Sequence, residues 1–333
     1  MLCLCLLTIT GCGNESETTS GREDQEENNN HETSTDATED EIAQSASEIP
    51  ESSVELVEPA AEEFEYSYDA VLGGIKITRY NGEAEAIRIP AEIDGDAVKA
   101  VSFTSNSNII HIEFPDSITS IRMVSCRSLT EITIPSNVTN IVLGECSNLT
   151  EITIPDSVTS LGGDFTSGAF AGCSSLTEIT IPDSVTSIGS HAFAGCSSLT
   201  KLTIPDSVAD IGENAFADCG SLTEIIIPDS VTSIGTMLFQ NCNSLTSITI
   251  PDSVTSIGPW AFSGCSSLTE ITIPSSVTNI YGNAFENCTS LRNLTIPDSV
   301  TQIDSNVFHG CDGLTVTYQG QEYNYANDPH YWW

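Results

Sequence analysis

The chain has 333 residues, of which 47 are acidic and 9 basic, with 39% hydrophobic and 17% charged residues and a net charge of −38. Such a charge argues against nucleic acid or anionic lipid as a direct partner, because a polyanion releases no counterions by meeting a surface of its own sign. No apolar run reaches the length needed to span a bilayer, and the longest, residues 2–9, stands at the extreme N-terminus.

In chain order, the first element is Met1 to Asn14, MLCLCLLTITGCGN. An apolar run ending in Ile9-Thr10-Gly11-Cys12 resembles the lipobox of bacterial lipoprotein signal peptides, although no Lys or Arg precedes the cysteine. The resemblance implies lipidation of Cys12 after removal of the leader, and several acyl chains on one residue hold a protein stably to a bilayer. Residues 13–66 follow with 18 acidic residues against Arg22 alone, few apolar residues before Val54, and much Ser, Thr and Asn. This composition buries too little surface to offset its ordering entropy, so the segment is expected to be a disordered, self-repelling tether. Residues 67–105, with Gly73-Gly74-Ile75-Lys76-Ile77 and Ile87-Arg88-Ile89-Pro90, read as an N-terminal cap and first repeat.

Residues 106–317 are repetitive. Strand-ending prolines fall at 90, 115, 135, 155, 182, 205, 228, 251, 274 and 297, with spacings of 25, 20, 20, 27 and then five times 23. A fixed period of this length means a solenoid and replaces the two globular domains that length alone suggests. In one unit, Leu176, Ile179 and Ile181 end a period-two strand, and Pro182 stops it for want of an amide. Val185 and Ile188 continue the buried stripe, Gly189 is expected to permit a turn, and Ala192-Phe193 is expected to begin a helical or 3₁₀ turn leading to Cys196.

The pattern LxxIxIPxxVxxIGxxAFxxCxx resembles the BspA-like branch of the leucine-rich repeat family of bacterial surface proteins. The resemblance implies a leucine-rich repeat solenoid, a curved right-handed coil of about ten to eleven repeats. It implies a parallel β-sheet on one face and short 3₁₀ or helical turns on the other, with adhesion or binding as the activity. Two departures stand out: the repeats ending at Cys126 and Cys146 lack the three residues that include Ala-Phe, and Leu161 to Gly168 carries four extra residues. Both are expected to distort the far side locally. Residues 318–333, rich in Tyr and Trp, read as a cap or a sticky patch, and a cap is preferred because a solenoid must end its core somewhere.

Nine cysteines, at 126, 146, 173, 196, 219, 242, 265, 288 and 311, share one slot of the repeat. With an odd count, no CxxC among them and no histidine at a matching offset, a zinc framework is disfavoured. Neighbours in a stack lie close enough for a strained disulfide, but a reduced apolar ladder is favoured. The five histidines occupy unrelated positions, so no catalytic constellation, metal site or cofactor is expected.

The outward strand residues form a column Glu131, Glu151, Glu178, Lys201, Glu224, Ser247, Glu270 and Asn293. Beside it runs Thr133, Thr153, Thr180, Thr203, Ile226, Thr249, Thr272 and Thr295. The simplest account is a solvated surface copied by duplication; the sharper one is a recognition face for a basic protein patch, a glycan or a divalent cation. The leading functional reading is a lipid-anchored protein on the outer face of a bacterial membrane that binds host or neighbouring-cell protein or glycan. The alternatives are a passive spacer and, if the lipobox is accidental, an intracellular scaffold.

Overall fold

Each 23-residue unit closes on itself because its apolar residues recur on every side of a small coil. In the unit around Pro182, Leu176, Ile179, Ile181, Val185, Ile188, Ala192, Phe193 and Cys196 are all buried. The proline that ends the front strand opens a tight turn, its carbonyl accepting the amide of Val185 at 3.0 Å, and the same bond recurs from Pro115 to Pro297. The computed structural model describes residues 55–162 and 168–324. Cys12, the leader, most of the expected tether, the core of the insertion and Tyr325 to Trp333 lie outside the described residues.

Stacking the units yields a parallel-strand solenoid of about ten turns. The expected front ladder is present: Lys201–Thr203, Glu224–Ile226, Ser247–Thr249 and Glu270–Thr272 pair in parallel, each residue beside its counterpart in the next repeat. A second parallel ladder, absent from the sequence reading, runs along the adjoining side through Ser233–Ile234, Ser256–Ile257, Asn279–Ile280 and Gln302–Ile303. Two residues per strand suffice there because each rung is one of a column of equivalent rungs.

The third side corrects the expectation of helical turns. The only helix among the described residues is the 3₁₀ turn Ala61–Glu63, which precedes the repeats. Two left-handed residues interrupt each turn: His191 (φ 59°) and Gly195 (φ 75°) in one unit, Asn214 (59°) and Asp218 (60°) in the next. Alternate amides of this segment also point along the stack, the others making local i−3 bonds. Phe193 N–H donates to Ala215 O and Gly195 N–H to Ala217 O, both at 2.8 Å, so they are not available for the i−4 carbonyls of a helix. The glycine expected to permit the turn has another duty. Gly189 has no positive φ, but a Cβ there would lie 2.9 Å from the Cα of Gly162 in the preceding unit. Backbone proximity, not left-handed geometry, requires it.

Inside the turn side, Phe170, Phe193, Phe216, Phe239, Phe262, Phe285 and Phe308 stack with centroids 5.4–5.8 Å apart and planes within 22°. In the short repeats Met123 and Leu143 take the ring's place, since Cys146 and Cys173 donate to their carbonyls as Cys196 does to that of Phe170. The second ladder is also longer in the short repeats and in the turns that precede them. Gly74–Tyr80, Asp96–Thr104, Ser120–Val124 and Asn140–Val142 form a broad sheet where later repeats keep two-residue strands.

Both ends of the array carry added strands. Phe64–Asp69 pairs antiparallel with Gly74–Tyr80 on the first edge of the second ladder, and Val57 bridges to Ile87 on the first edge of the front ladder. The fold therefore begins by residue 55, inside the stretch expected to be tether to residue 66, because Phe64 and the residues near it find a hydrophobic partner: its ring packs on Tyr80 at 5.4 Å. At the other end Thr315–Tyr318 extends the front ladder and Gln321–Asn324 folds back antiparallel upon it. Gln319 (φ 51°) and Gly320 (72°) supply the two positive φ angles of a two-residue hairpin turn.

Candidate functional site

The front strands alternate so that Ile and Leu enter the core while their neighbours leave it. Leu202 is 4% exposed, yet the Lys201 and Glu224 side chains on either rung are 75% and 65% exposed. Glu131, Glu151, Glu178, Lys201, Glu224 and Glu270 are all exposed, as are Thr180, Thr203, Thr249 and Thr272. The structure thus brings every candidate residue of the binding face onto one surface in two parallel columns, Cys12 lying outside the described residues. Registered pairs include Lys201 with Glu224, Thr203 with Ile226, and Thr249 with Thr272.

The column extends farther than the sequence reading took it. His111 lies in register with Glu131, and its ring nitrogens stand 4.0 Å from Glu131 and 3.9 Å from Glu113. Arg88 holds Glu113 at 2.8 Å. The spacing of Pro115 from Pro135 carried this signal, since His111 occupies the slot of Glu131 one period earlier.

The ladder is not continuous. The segments bearing Glu151 and Glu178 share the bridge Thr153–Thr180 and a long bond from Thr177 N–H to Thr150 O at 3.3 Å, the Glu178 segment meets Lys201–Thr203 through Thr200 N–H to Thr177 O at 3.4 Å, and no strand pairing joins Glu270–Thr272 to Asn293–Ile296. Shallow depressions open at these places. One is lined by Glu178, Thr180, Lys201 and Thr203, a second by Glu131, Glu151 and Glu178 with their threonines, and a third by Glu270, Thr272, Asn293 and Thr295. Near the middle, two substitutions break the repetition. Lys201 pairs with Glu224 at 3.7 Å, and Ile226, 57% exposed, replaces threonine between Thr203 and Thr249.

The thiols from Cys173 to Cys265 do not form a reactive site. All nine are free and buried, and from Cys196 to Cys311 each S–H donates to the carbonyl of the preceding phenylalanine, at 2.9–3.2 Å. Burial pushes the thiols of Cys173, Cys219 and Cys265 up to about 12, and those of Cys196 and Cys242 well above their usual range. Thiolate is the nucleophile and the metal ligand, so these groups are held in their inert form. Among the described residues no cluster of three or more His, Cys, Asp or Glu side chains is placed to hold a metal, and no helix is long and apolar enough to cross a membrane.

The model of the BspA type leucine rich repeat region matches residues 80–165, 163–251 and 238–327, in six copies. A leucine-rich repeat protein from Bacteroides ovatus is similar over 78% of this chain and 70% of its own length, at 28% identity and a TM-score of 0.56. A leucine rich cell surface protein from Faecalibacterium prausnitzii matches over 80% of this chain and 95% of its own, at 27% identity and a TM-score of 0.41. The T. pallidum leucine rich repeat protein matches over 64% and 92%, at 27% identity and a TM-score of 0.46. No curated protein matches the chain.

Proposed function

The chain belongs to the BspA-type leucine-rich repeat family, and from that premise we propose that it is a non-enzymatic binding scaffold of the bacterial surface. It is anchored through lipidated Cys12, held off the membrane by the acidic tether that follows, and engages a basic patch of a host or neighbouring-cell protein, or a glycan. The observation that carries this reading is the front surface: two exposed columns, one mostly glutamate and one mostly threonine, on which no other described element packs.

A rigid array of carboxylates separated by about one strand spacing presents charge without the entropy cost of ordering flexible loops. Complementary charge raises association rate and sets specificity more than it adds affinity. The threonine hydroxyls supply donors and acceptors at fixed intervals. Ile226 and the Lys201–Glu224 pair interrupt an otherwise uniform face and give it one distinguishable position.

The test is binding of the full chain to whole cells and extracellular matrix, beside a variant carrying Glu178→Lys, Glu224→Lys and Glu270→Lys. These side chains are exposed, so melting should be unchanged while association slows at least tenfold and loses its salt dependence. Equal binding by both proteins would remove the front surface from the mechanism, and no binding by the native protein to any cell or matrix would favour a passive spacer.

A further inference from the structure

The turn side of the solenoid repeats its backbone more faithfully than its side chains. Two residues before each phenylalanine from Phe193 to Phe308 stands a residue at positive φ: His191, Asn214, Met237, Trp260, Asn283 and Asn306. Asparagine and histidine tolerate the left-handed region, whereas a bulky side chain without a short polar group enters it at a cost. Met237 and Trp260, both at φ 53°, therefore hold positions that asparagine fills more comfortably in other repeats. Strain of this kind points from the outlier to a use. The two are neighbours in the stack, since Met237 N–H donates to Pro259 O at 2.9 Å and Trp260 N–H to Gly282 O at 3.2 Å.

Charge sets these two turns apart from the rest of the chain. Residues 235–245 and 258–268 contain no acidic or basic residue, and no Lys or Arg lies anywhere from 202 to 291, in a chain with 47 acidic residues. The turns on either side do carry charge, Glu213 and Asp218 in one and Glu286 in the other. Trp260 is 36% exposed, and its indole N–H has no partner among the described residues. Met237 beside it is half-buried, its sulfur accepting the Asn214 side-chain amide at 3.6 Å. Carboxamides thus flank the pair along the column, Asn214 on one side and Asn283 on the other. The backbone beneath the ring is fixed, because Pro259 restricts φ just before it and Trp260 O accepts Ser263 N–H at 3.1 Å. An aromatic side chain carried on such a backbone has only two torsions to order on contact.

We propose that the Met237–Trp260 platform is a binding site for a neutral glycan. The apolar face of a pyranose ring stacks on an indole, and its hydroxyl groups meet the donors and acceptors of the carboxamides alongside. The absence of charge in both turns selects the ligand class: an anionic sugar meets no cation here, and a cation finds stronger partners on the glutamate front. An interface with another protein would close over a contiguous apolar core, whereas here two large apolar side chains stand among amides and hydroxyls. The surface is separate from the front columns, and the inference does not rest on them.

Saturation-transfer NMR and titration of the full chain with neutral oligosaccharides of glucose, mannose, galactose and N-acetylglucosamine test the site. Saturable binding of at least one of them, millimolar or tighter, is expected. Trp260→Asn should weaken it at least about tenfold in a protein that melts no lower than the native one, because asparagine suits the left-handed position. Trp260→Phe keeps an aromatic face and should retain binding within about threefold. The variant carrying Glu178→Lys, Glu224→Lys and Glu270→Lys should bind sugar unchanged, so failure of this site and failure of the front surface are read separately. On whole cells, the share of binding lost in Trp260→Asn should also be lost when the vicinal diols of the cell surface are oxidised with periodate. No binding to any of the sugars, binding indifferent to Trp260→Asn, or Trp260-dependent cell binding that survives periodate would overturn the proposal.

Discussion

Phe216→Ala is the sharpest test of a stack that is held together only by its neighbours. The ring is fully buried and lies 5.6 Å from Phe193 on one side and 5.6 Å from Phe239 on the other, with planes 12° and 9° apart. Removing a buried phenylalanine costs about 3–5 kcal/mol, and each ring pair adds about 0.5–1.5 kcal/mol beyond its area. Phe308 has one stacked partner, Phe285, at 5.8 Å. Phe216→Ala should therefore cost about 1 kcal/mol more than Phe308→Ala, the two standing near opposite ends of the range. Urea unfolding gives the cost, and hydrogen exchange shows where it is felt. Protection should fall first in the repeats flanking Phe216, and only in the last repeats for Phe308. A double-mutant cycle completes the test. Phe216 and Phe239 should couple by at least about 0.5 kcal/mol, whereas Phe170 and Phe285, five rings apart, should be additive. Equal costs at both sites, global loss of protection from either, or additivity of the adjacent pair would refute a nearest-neighbour stack.

Three further outcomes follow from the same geometry. Gly258→Ala, whose Cβ would meet the Gly235 carbonyl carbon at 2.8 Å, should destabilise by about 1–3 kcal/mol, whereas Gly235→Ala, with nothing nearer than 3.8 Å, should be neutral or stabilising by about 0.5 kcal/mol on thermal melting. The unfolded chain releases its thiol protons near pH 9 while Cys173, Cys219 and Cys265 hold theirs to about 12. Their stabilising contribution is thus full below pH 9 and lost as pH rises through 12, by about 1.4 kcal/mol per pH unit per thiol. Alkaline unfolding should be shallower in the Cys173→Ala, Cys219→Ala, Cys265→Ala variant, and mass labelling at pH 8 should find all nine solenoid thiols unreactive until urea is added. Finally, Cys12→Ser should move the protein from the membrane to the soluble fraction in the producing bacterium; retention of the variant would exclude this anchor.

Much of the candidate surface was legible in advance because strand alternation is a local property. Once Ile179 and Ile181 are inside, Glu178 and Thr180 must be outside, and the period copies that choice into every repeat. The cysteine slot was legible for the same reason, an apolar position recurring among apolar positions. The interruptions of the front ladder were not legible, since Glu151 and Glu178 sit in the same motif as Glu224 and differ only in how neighbouring backbones meet.

What the sequence determined by itself was the repeat, its period, the residues facing the core and the places where the period slips. What only the tertiary structure decided depends on hydrogen bonds between residues 20 to 27 positions apart. Ser256-Ile257 in isolation has no reason to be a strand, and becomes one because equivalent pairs, Ser233-Ile234 and Asn279-Ile280, stand on either side. Ala-Phe at the start of a turn has reason to be helical, and is not, because the phenylalanine amide is used by the next repeat and left-handed residues bracket the pair. The loss of three residues before Cys126 and Cys146 reads as a defect in the pattern, yet in the fold those repeats carry the strands Ser120–Val124 and Asn140–Val142, which continue the broad sheet of Gly74–Tyr80 and Asp96–Thr104. Local propensity settles which way a side chain faces; stacking settles what the backbone between those side chains becomes.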